Sequence, residues 1–240
     1  MCSTYALVAS VVLVVSALYI GRLIAVIPIL SFAQANQSKN EVFANNTNKD
    51  GIHLFVFLGS GGHTGEMLRL LHNYREFLLN PKNTLYVGYS DNDSLIRFQK
   101  FIDKNGLNAK NVHYYPFVKA REVGAGLVSS VFSILKTLLN GFVYVFEIKM
   151  RSWSHPHMTL LNGPGTCCII AFWSKFLEWI FFIPIANNHS NIIYVESLAR
   201  VASLSLTGKI LNILADVFIV QWEELKTKKA PRAEYYGILV

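Results

Sequence analysis

Charge is scarce in this chain: Asp, Glu, Lys and Arg together make up 15% of its 240 residues, against 52% hydrophobic ones. Soluble domains typically carry roughly 25% charge, so the composition favours contact with an apolar phase. Cysteine is scarcer still. The three present, Cys2, Cys167 and Cys168, give no disulfide framework, and no Cys-x-x-Cys or Cys/His spacing points to zinc. That argues against a disulfide-stapled secreted module and fits a reducing compartment. Recognition-helix and RNA-binding motifs are missing too. Lys and Arg number 22 against 15 for Asp and Glu, but they are scattered. Nucleic acid is therefore set aside in favour of anionic headgroups and phosphates.

No charged residue occurs between Tyr5 and Gly21, and the apolar run resumes after Arg22 as far as Phe32. About 20 apolar residues span a bilayer, so a span is expected here if Arg22 snorkels toward a headgroup. Ala33-Gln34-Ala35 resembles a signal-peptide cleavage site. However, no Lys or Arg precedes the run, and it exceeds the roughly 7–15 residues of a signal core. Residues 1–35 are read as an uncleaved anchor. Arg22, Lys39 and Lys49 all follow the span, which predicts a cytosolic main domain. The sequons at Asn36, Asn45, Asn92 and Asn188 then carry no glycan, since that machinery is lumenal. Residues 36–50 are polar and rich in Asn and read as a linker, leaving 51–240 as the domain proper.

Within that domain, short apolar runs alternate with helical spacing. Strands are expected at 52–58, 84–88, 112–115, 157–161, 192–195 and 217–220, with helices over 64–79 and around 94–104. Such alternation implies βαβ units and a Rossmann-like parallel sheet covered on both faces. Two apolar stretches fall between the strands. Residues 127–146 suit a long, mostly buried helix; residues 171–185 are too short to span a membrane and crowded with aromatics. Trp173, Phe176, Trp179 and Phe181 are read as dipping into the membrane interface, with ordinary core as the alternative.

Ligands of open α/β sheets bind at the carboxyl ends of the strands, where three loops are expected. They are Gly59-Ser60-Gly61-Gly62-His63-Thr64-Gly65, Asn162-Gly163-Pro164-Gly165-Thr166, and the segment starting at Glu196-Ser197. Glycines there admit a ligand to the backbone, and helix N-termini attract anions. The first loop is not a dinucleotide fingerprint, because Thr64 stands where that motif wants glycine or alanine, and it lacks the Lys-Ser/Thr ending of a P-loop. Tyr115 and Lys119 have a dehydrogenase-like spacing, but Pro116 lies between them.

Five segments in order carry a resemblance: HLFVFLGSGGHTGEMLRLL at 53–71, AREVG at 120–124, NGPGTC at 162–167, IYVESLARV at 193–201 and AEYYG at 233–237. Together they resemble the membrane-anchoring subunit of the dolichol-pathway N-acetylglucosaminyltransferase, and the first loop is similar to that of the bacterial lipid II N-acetylglucosaminyltransferase. The resemblance implies the acceptor half of a GT-B glycosyltransferase, with no second nucleotide-binding half after the sixth strand. It also implies a separate cytosolic subunit that binds UDP-N-acetylglucosamine, a dolichol-linked acceptor at the endoplasmic reticulum membrane, and inverting transfer without metal ion or cofactor.

Candidate residues follow. His63 is expected as general base or as the group orienting the acceptor hydroxyl, its ordinary pKa of about 6.5 suiting cytosolic pH; its alternative role is to hold the loop. Glu196 is expected either to bind a sugar hydroxyl or to tie down the following loop. Gly59, Ser60, Gly61, Gly62, Thr64 and Gly65, with Asn162, Gly163, Gly165 and Thr166, are expected around the acceptor phosphates, and Arg121 is a candidate either for a phosphate contact or for an exposed salt bridge. Glu66 is expected to cap its helix. The apolar end, Tyr235, Tyr236, Ile238, Leu239 and Val240, is expected to dock into this chain's own core or, the preferred reading, against the donor-binding partner.

Overall fold

A computed structural model describes residues 2–30, 51–106, 111–118, 127–181, 190–228, 230 and 232–240. The expected linker, Lys119 and Arg121, and the sequons at Asn36, Asn45 and Asn188 lie outside the described residues. Helix α1 (Cys2–Val26) leads into β1 (His53–Leu58), α2 (Gly62–Asn73), α3 (Arg75–Leu78), β2 (Thr84–Tyr89), α4 (Asn92–Lys104) and β3 (Val112–Pro116). There follow α5 (Leu127–Arg151), β4 (His157–Asn162), α6 (Thr166–Ile180), β5 (Ile192–Val195), α7 (Leu206–Leu214), β6 (Val217–Val220), α8 (Glu223–Lys228) and β7 (Glu234–Tyr235).

The strands form one sheet of order β3-β2-β1-β4-β5-β6-β7, and every pairing is parallel. Alternation along β1 divides the core in two. Leu54, Val56 and Leu58 pack with Met67 and Leu71 of α2 and Phe98 and Ile102 of α4. Phe55 and Phe57 pack on the other face with Val145 and Ile148 of α5 and Ile170 and Leu177 of α6. The Rossmann-like reading holds, with one strand more than expected. β7 is a two-residue edge strand inside the closing segment, too short to leave a periodic signal.

The helices depart from expectation in three places. The helix expected over 64–79 begins at Gly62 and breaks at Tyr74, where φ is −111°. α4 starts two residues early because the Asp91 carboxylate accepts from the Ser94 N–H at 2.8 Å. The largest departure is α5. It exposes Leu135, Leu139, Phe142, Val143, Phe146 and Met150 along one side instead of being mostly buried.

The segment Thr4–Val26 of α1 is long and apolar enough to cross a membrane. Its base rests on the C-terminal end of α6: Trp179 Nε1 donates to the Tyr19 carbonyl at 3.0 Å, and Arg22 Nη2 to the Glu178 carbonyl at 2.9 Å. Arg22, expected to reach a headgroup, is thus joined to the domain. Under this joint Glu178 is buried and accepts from Lys149 Nζ at 2.7 Å and from the Ser190 N–H at 2.6 Å. Lys175 lies beside them, paired with Asp216 at 2.9 Å.

Candidate functional site

The chain runs outward from β1 to β2 and β3, then returns to place β4 on the other side of β1. The connections after β1 and β4 therefore diverge, and the sheet has its switch point between them. The two loops touch there: a Cβ on Gly59 would come within 2.8 Å of both His63 Cβ and Pro164 Cδ. Gly61 takes φ 61° as it turns into α2, and no side chain caps that helix. Gly165 precedes α6, also without a side-chain cap. Two helix N-termini without side-chain caps thus flank the switch point; at α6 the Cys167 and Cys168 N–H groups already donate to the Pro164 and Gly165 carbonyls.

Beside them opens a cleft of about 420 Å³ whose walls include His63, Gly163, Pro164, Ser197, Arg200 and Thr207. His63 lies with its ring against Gly163, which adopts φ 95° and has room for no side chain. His63 Nδ1 is buried without a hydrogen-bond partner and stands 3.9 Å from Glu66 Oε2, too far for a hydrogen bond.

Glu66 does not cap α2. Lying a full turn inside the helix, it reaches across the strand ends, where it accepts from Asn162 Nδ2 at 2.9 Å and Ser197 Oγ at 2.8 Å. Burial alone would push its pKa up. The Asn162 and Ser197 donors, with the neighbouring His63 ring, outweigh that and hold it below the ordinary carboxylate range. One carboxylate thereby joins the ends of β4 and β5 to α2.

Glu196 is fully buried, and its oxygens are spoken for. It accepts from the Ser197 N–H at 3.1 Å, the Ser205 N–H at 3.1 Å and Ser205 Oγ at 3.0 Å, so it staples both ends of the loop between β5 and α7. Gly208 fits against it; a Cβ there would collide with Oε2. Of the two expected roles, this geometry matches tying down the loop.

Comparison with known proteins gives the context for this arrangement. The family model described as oligosaccharide biosynthesis protein Alg14 like matches residues 54–239. The chain belongs to the Alg14-like family. It is 61% identical over 232 residues to the UDP-N-acetylglucosamine transferase subunit ALG14 of Candida glabrata, covering 96% of each chain. The Saccharomyces cerevisiae subunit of the same name is 50% identical over 241 residues, covering 98% of this chain and 99% of its own. Among solved structures, the glycotransferase of kitacinnamycin aligns over 76% of this chain and 49% of its own at a TM-score of 0.43 and 9% identity, too loosely to add to this.

The remaining candidates of this Alg14-like chain divide by position. Ser60, Gly61 and Gly62 are exposed at the mouth of α2. Thr64 is turned inward and fully buried, its hydroxyl against the Gly59 carbonyl and 2.8 Å from Ser94 Oγ. Thr166 is likewise buried at the start of α6. The chain's one Asp-x-Asp spacing, Asp91-Asn92-Asp93, is used as a helix cap, as described for α4.

Of the aromatics expected at a membrane interface, Trp173 bonds the Leu138 carbonyl of α5 at 2.9 Å and Trp179 bonds α1; Phe181 remains 54% exposed. The tail is split. The Leu239 N–H donates to Gln221 Oε1 at 3.1 Å, and Leu239 and Val240 lean on the core, while Tyr236 and Ile238 stay exposed. Gln221 in turn donates to the Glu196 carbonyl at 2.9 Å, linking tail and cleft loop.

Arg200 was not singled out from sequence. Its backbone N–H closes a turn onto the Ser197 carbonyl at 3.0 Å, and its exposed side chain stands at the cleft. A lone basic residue four positions after Glu196, in the third expected loop, was the available signal.

Proposed function

We propose that this chain is the acceptor-binding, membrane-anchoring subunit of a heteromeric UDP-N-acetylglucosamine transferase. It holds dolichyl-pyrophosphoryl-N-acetylglucosamine while a cytosolic donor-binding subunit presents UDP-N-acetylglucosamine, giving dolichyl-pyrophosphoryl-chitobiose, the second step of lipid-linked oligosaccharide synthesis. The observation that carries this reading is the cleft at the switch point. Its carboxylates are already occupied by internal donors, so it offers a ligand N–H groups and a guanidinium. A diphosphate suits that set of donors.

In the reaction, the acceptor hydroxyl oxygen bonds to the anomeric carbon, the bond from that carbon to UDP breaks with inversion, and the hydroxyl proton passes to a base. His63, on the cleft wall, is assigned as that base; such catalysis typically supplies ~10²–10⁴-fold. A second reading, in which this chain binds acceptor and partner but gives no catalytic group, is favoured by the full occupation of Glu196. Replacing His63 separates the two.

The anchor spans residues 1–35, a linker covers 36–50, and the acceptor half-domain of GT-B type occupies 51–240. α1 crosses the endoplasmic reticulum membrane once, leaving the domain on the cytosolic face. α1 meets the far end of α6, a helix of 15 residues and roughly 22 Å, from the cleft. The apolar side of α5 and Phe181 run along that length, and laying them on the bilayer brings the cleft to the lipid diphosphate. Tyr235, Tyr236 and Ile238, with Leu239 and Val240 behind them, form the partner-docking end.

The test is sugar transfer from UDP-N-acetylglucosamine to phytanyl-pyrophosphoryl-N-acetylglucosamine by this chain, by the donor-binding subunit, and by both. Transfer by the mixture alone supports the proposal. Full transfer by this chain alone, or none by a folded and associated mixture, contradicts it.

A further inference from the structure

We infer that Arg200 is the cation that grips the diphosphate of the lipid-linked acceptor, an inference that rests on the reading of the cleft given above. Arg200 stands on the cleft wall formed by the loop between β5 and α7, and His63 belongs to the wall formed by α2. The backbone that carries it is held firmly although the side chain is exposed. Glu196 staples the loop at Ser197 and Ser205, the Ser197 hydroxyl is bound to Glu66, and Trp222 Nε1 donates to the Leu198 carbonyl at 2.8 Å. The turn from Ser197 to Arg200 closes the unit. A long cationic side chain is thus mounted on a fixed base beside an open volume.

Its charge is also available. Arg22, Lys149, Lys175 and Arg232 are each taken up by carbonyls or carboxylates within the fold, whereas Arg200 forms no ion pair with any described residue. Glu66 and Glu196, the carboxylates that hold this loop, are committed to donors within the fold that leave them little reason to recruit a guanidinium. A planar guanidinium can bridge two phosphoryl oxygens with parallel N–H bonds, which a lysine ammonium cannot reproduce. Uncapped α2 opens on the same side and adds to the attraction without defining the site.

Diphosphate occurs in both substrates of the proposed reaction, and the assignment here is to the acceptor's. The test uses the full chain in lipid nanodiscs with R200A and R200K. It measures binding of phytanyl-pyrophosphoryl-N-acetylglucosamine and of the monophosphoryl analogue, then KM for each substrate in the assembled transferase. The loss of one charge-assisted contact predicts about ten- to a hundredfold weaker diphosphate binding by R200A. The preference over the monophosphate should narrow, acceptor KM should rise in step, and the KM for UDP-N-acetylglucosamine should stay unchanged. R200K should recover part of the affinity, which a folding defect would not allow. Unchanged acceptor binding in R200A overturns the inference and leaves the cleft reading intact. A rise confined to the UDP-N-acetylglucosamine KM also overturns it, placing Arg200 on the donor. If the unmodified chain fails to bind the acceptor, the cleft reading itself falls.

Discussion

The His63 imidazole occupies the space that any side chain on Gly163 would need. Gly163 also sits at φ 95°, where a Cβ is strained. Gly163→Ala is therefore expected to cost about 1–2 kcal/mol in stability and to push His63 off the cleft wall. With His63 as the proposed base, a displacement of about an ångström costs on the order of 10²-fold. Transfer by the assembled enzyme should fall by that order while partner association, followed by co-purification, is retained.

Gly208 reverses the usual helix rule. Glycine to alanine inside an exposed helix is ordinarily stabilising by about 1 kcal/mol. At Gly208 the added Cβ drives into Glu196 Oε2, the carboxylate that staples the loop bearing Arg200. Gly208→Ala is expected to lower stability by about 1–3 kcal/mol instead, seen as a drop in Tm, with a raised acceptor KM.

Glu178 lies buried where α1, α5 and α6 meet the sheet. Burial pushes the Lys149 pKa down, and the charge and hydrogen bond of Glu178 oppose that shift. Glu178→Ala leaves Lys149 without that partner, and breaking such a buried pair typically costs about 3–5 kcal/mol. Denaturant unfolding of the detergent-solubilised chain should show a loss of that size. Arg151→Ala, which removes an exposed pair with Glu147, should cost under about 1 kcal/mol.

His53 sets an acid limit. It is packed at 3.1 Å from Tyr86 Oη and stacked on His155 at 4.2 Å. Burial, then the neighbouring His155 and His113, hold its pKa down at about 4 from 6.5. The unfolded chain therefore binds the proton more readily between those values. The stability His53 provides is complete above about pH 6.5 and is lost as pH falls toward 4, at no more than about 1.4 kcal/mol per pH unit. Thermal melts from pH 7.5 to 4.5 should show Tm falling, and His53→Gln should flatten that part of the curve.

The sheet was legible because β1, β5 and β6 are almost wholly apolar runs, and burial on both faces is what such runs report. The carboxyl-edge loops followed from that reading. What each side chain does there did not follow, because it depends on contacts between residues distant in sequence. Glu66 looked like a helix cap until Asn162 and Ser197 were seen to meet it, 96 and 131 positions away. Arg200 has no periodic signature, and only the cleft gives it meaning. The exposed side of α5 was not legible because an apolar helical face looks the same in sequence whether it meets a core or faces outward. β7 went unseen because two residues carry no pattern.

The most direct test is to ask which residues touch the acceptor's diphosphate end. A photoreactive group placed on the sugar next to the diphosphate of a phytanyl acceptor, activated with the full chain in nanodiscs, would report this by mass spectrometry of the cross-linked peptides. Adducts are expected on the loop between β5 and α7 and around His63, competed away by unlabelled diphosphate acceptor. Adducts concentrated at the opposite sheet edge, around His53 and Ser152, with the cleft loops unlabelled, would contradict it.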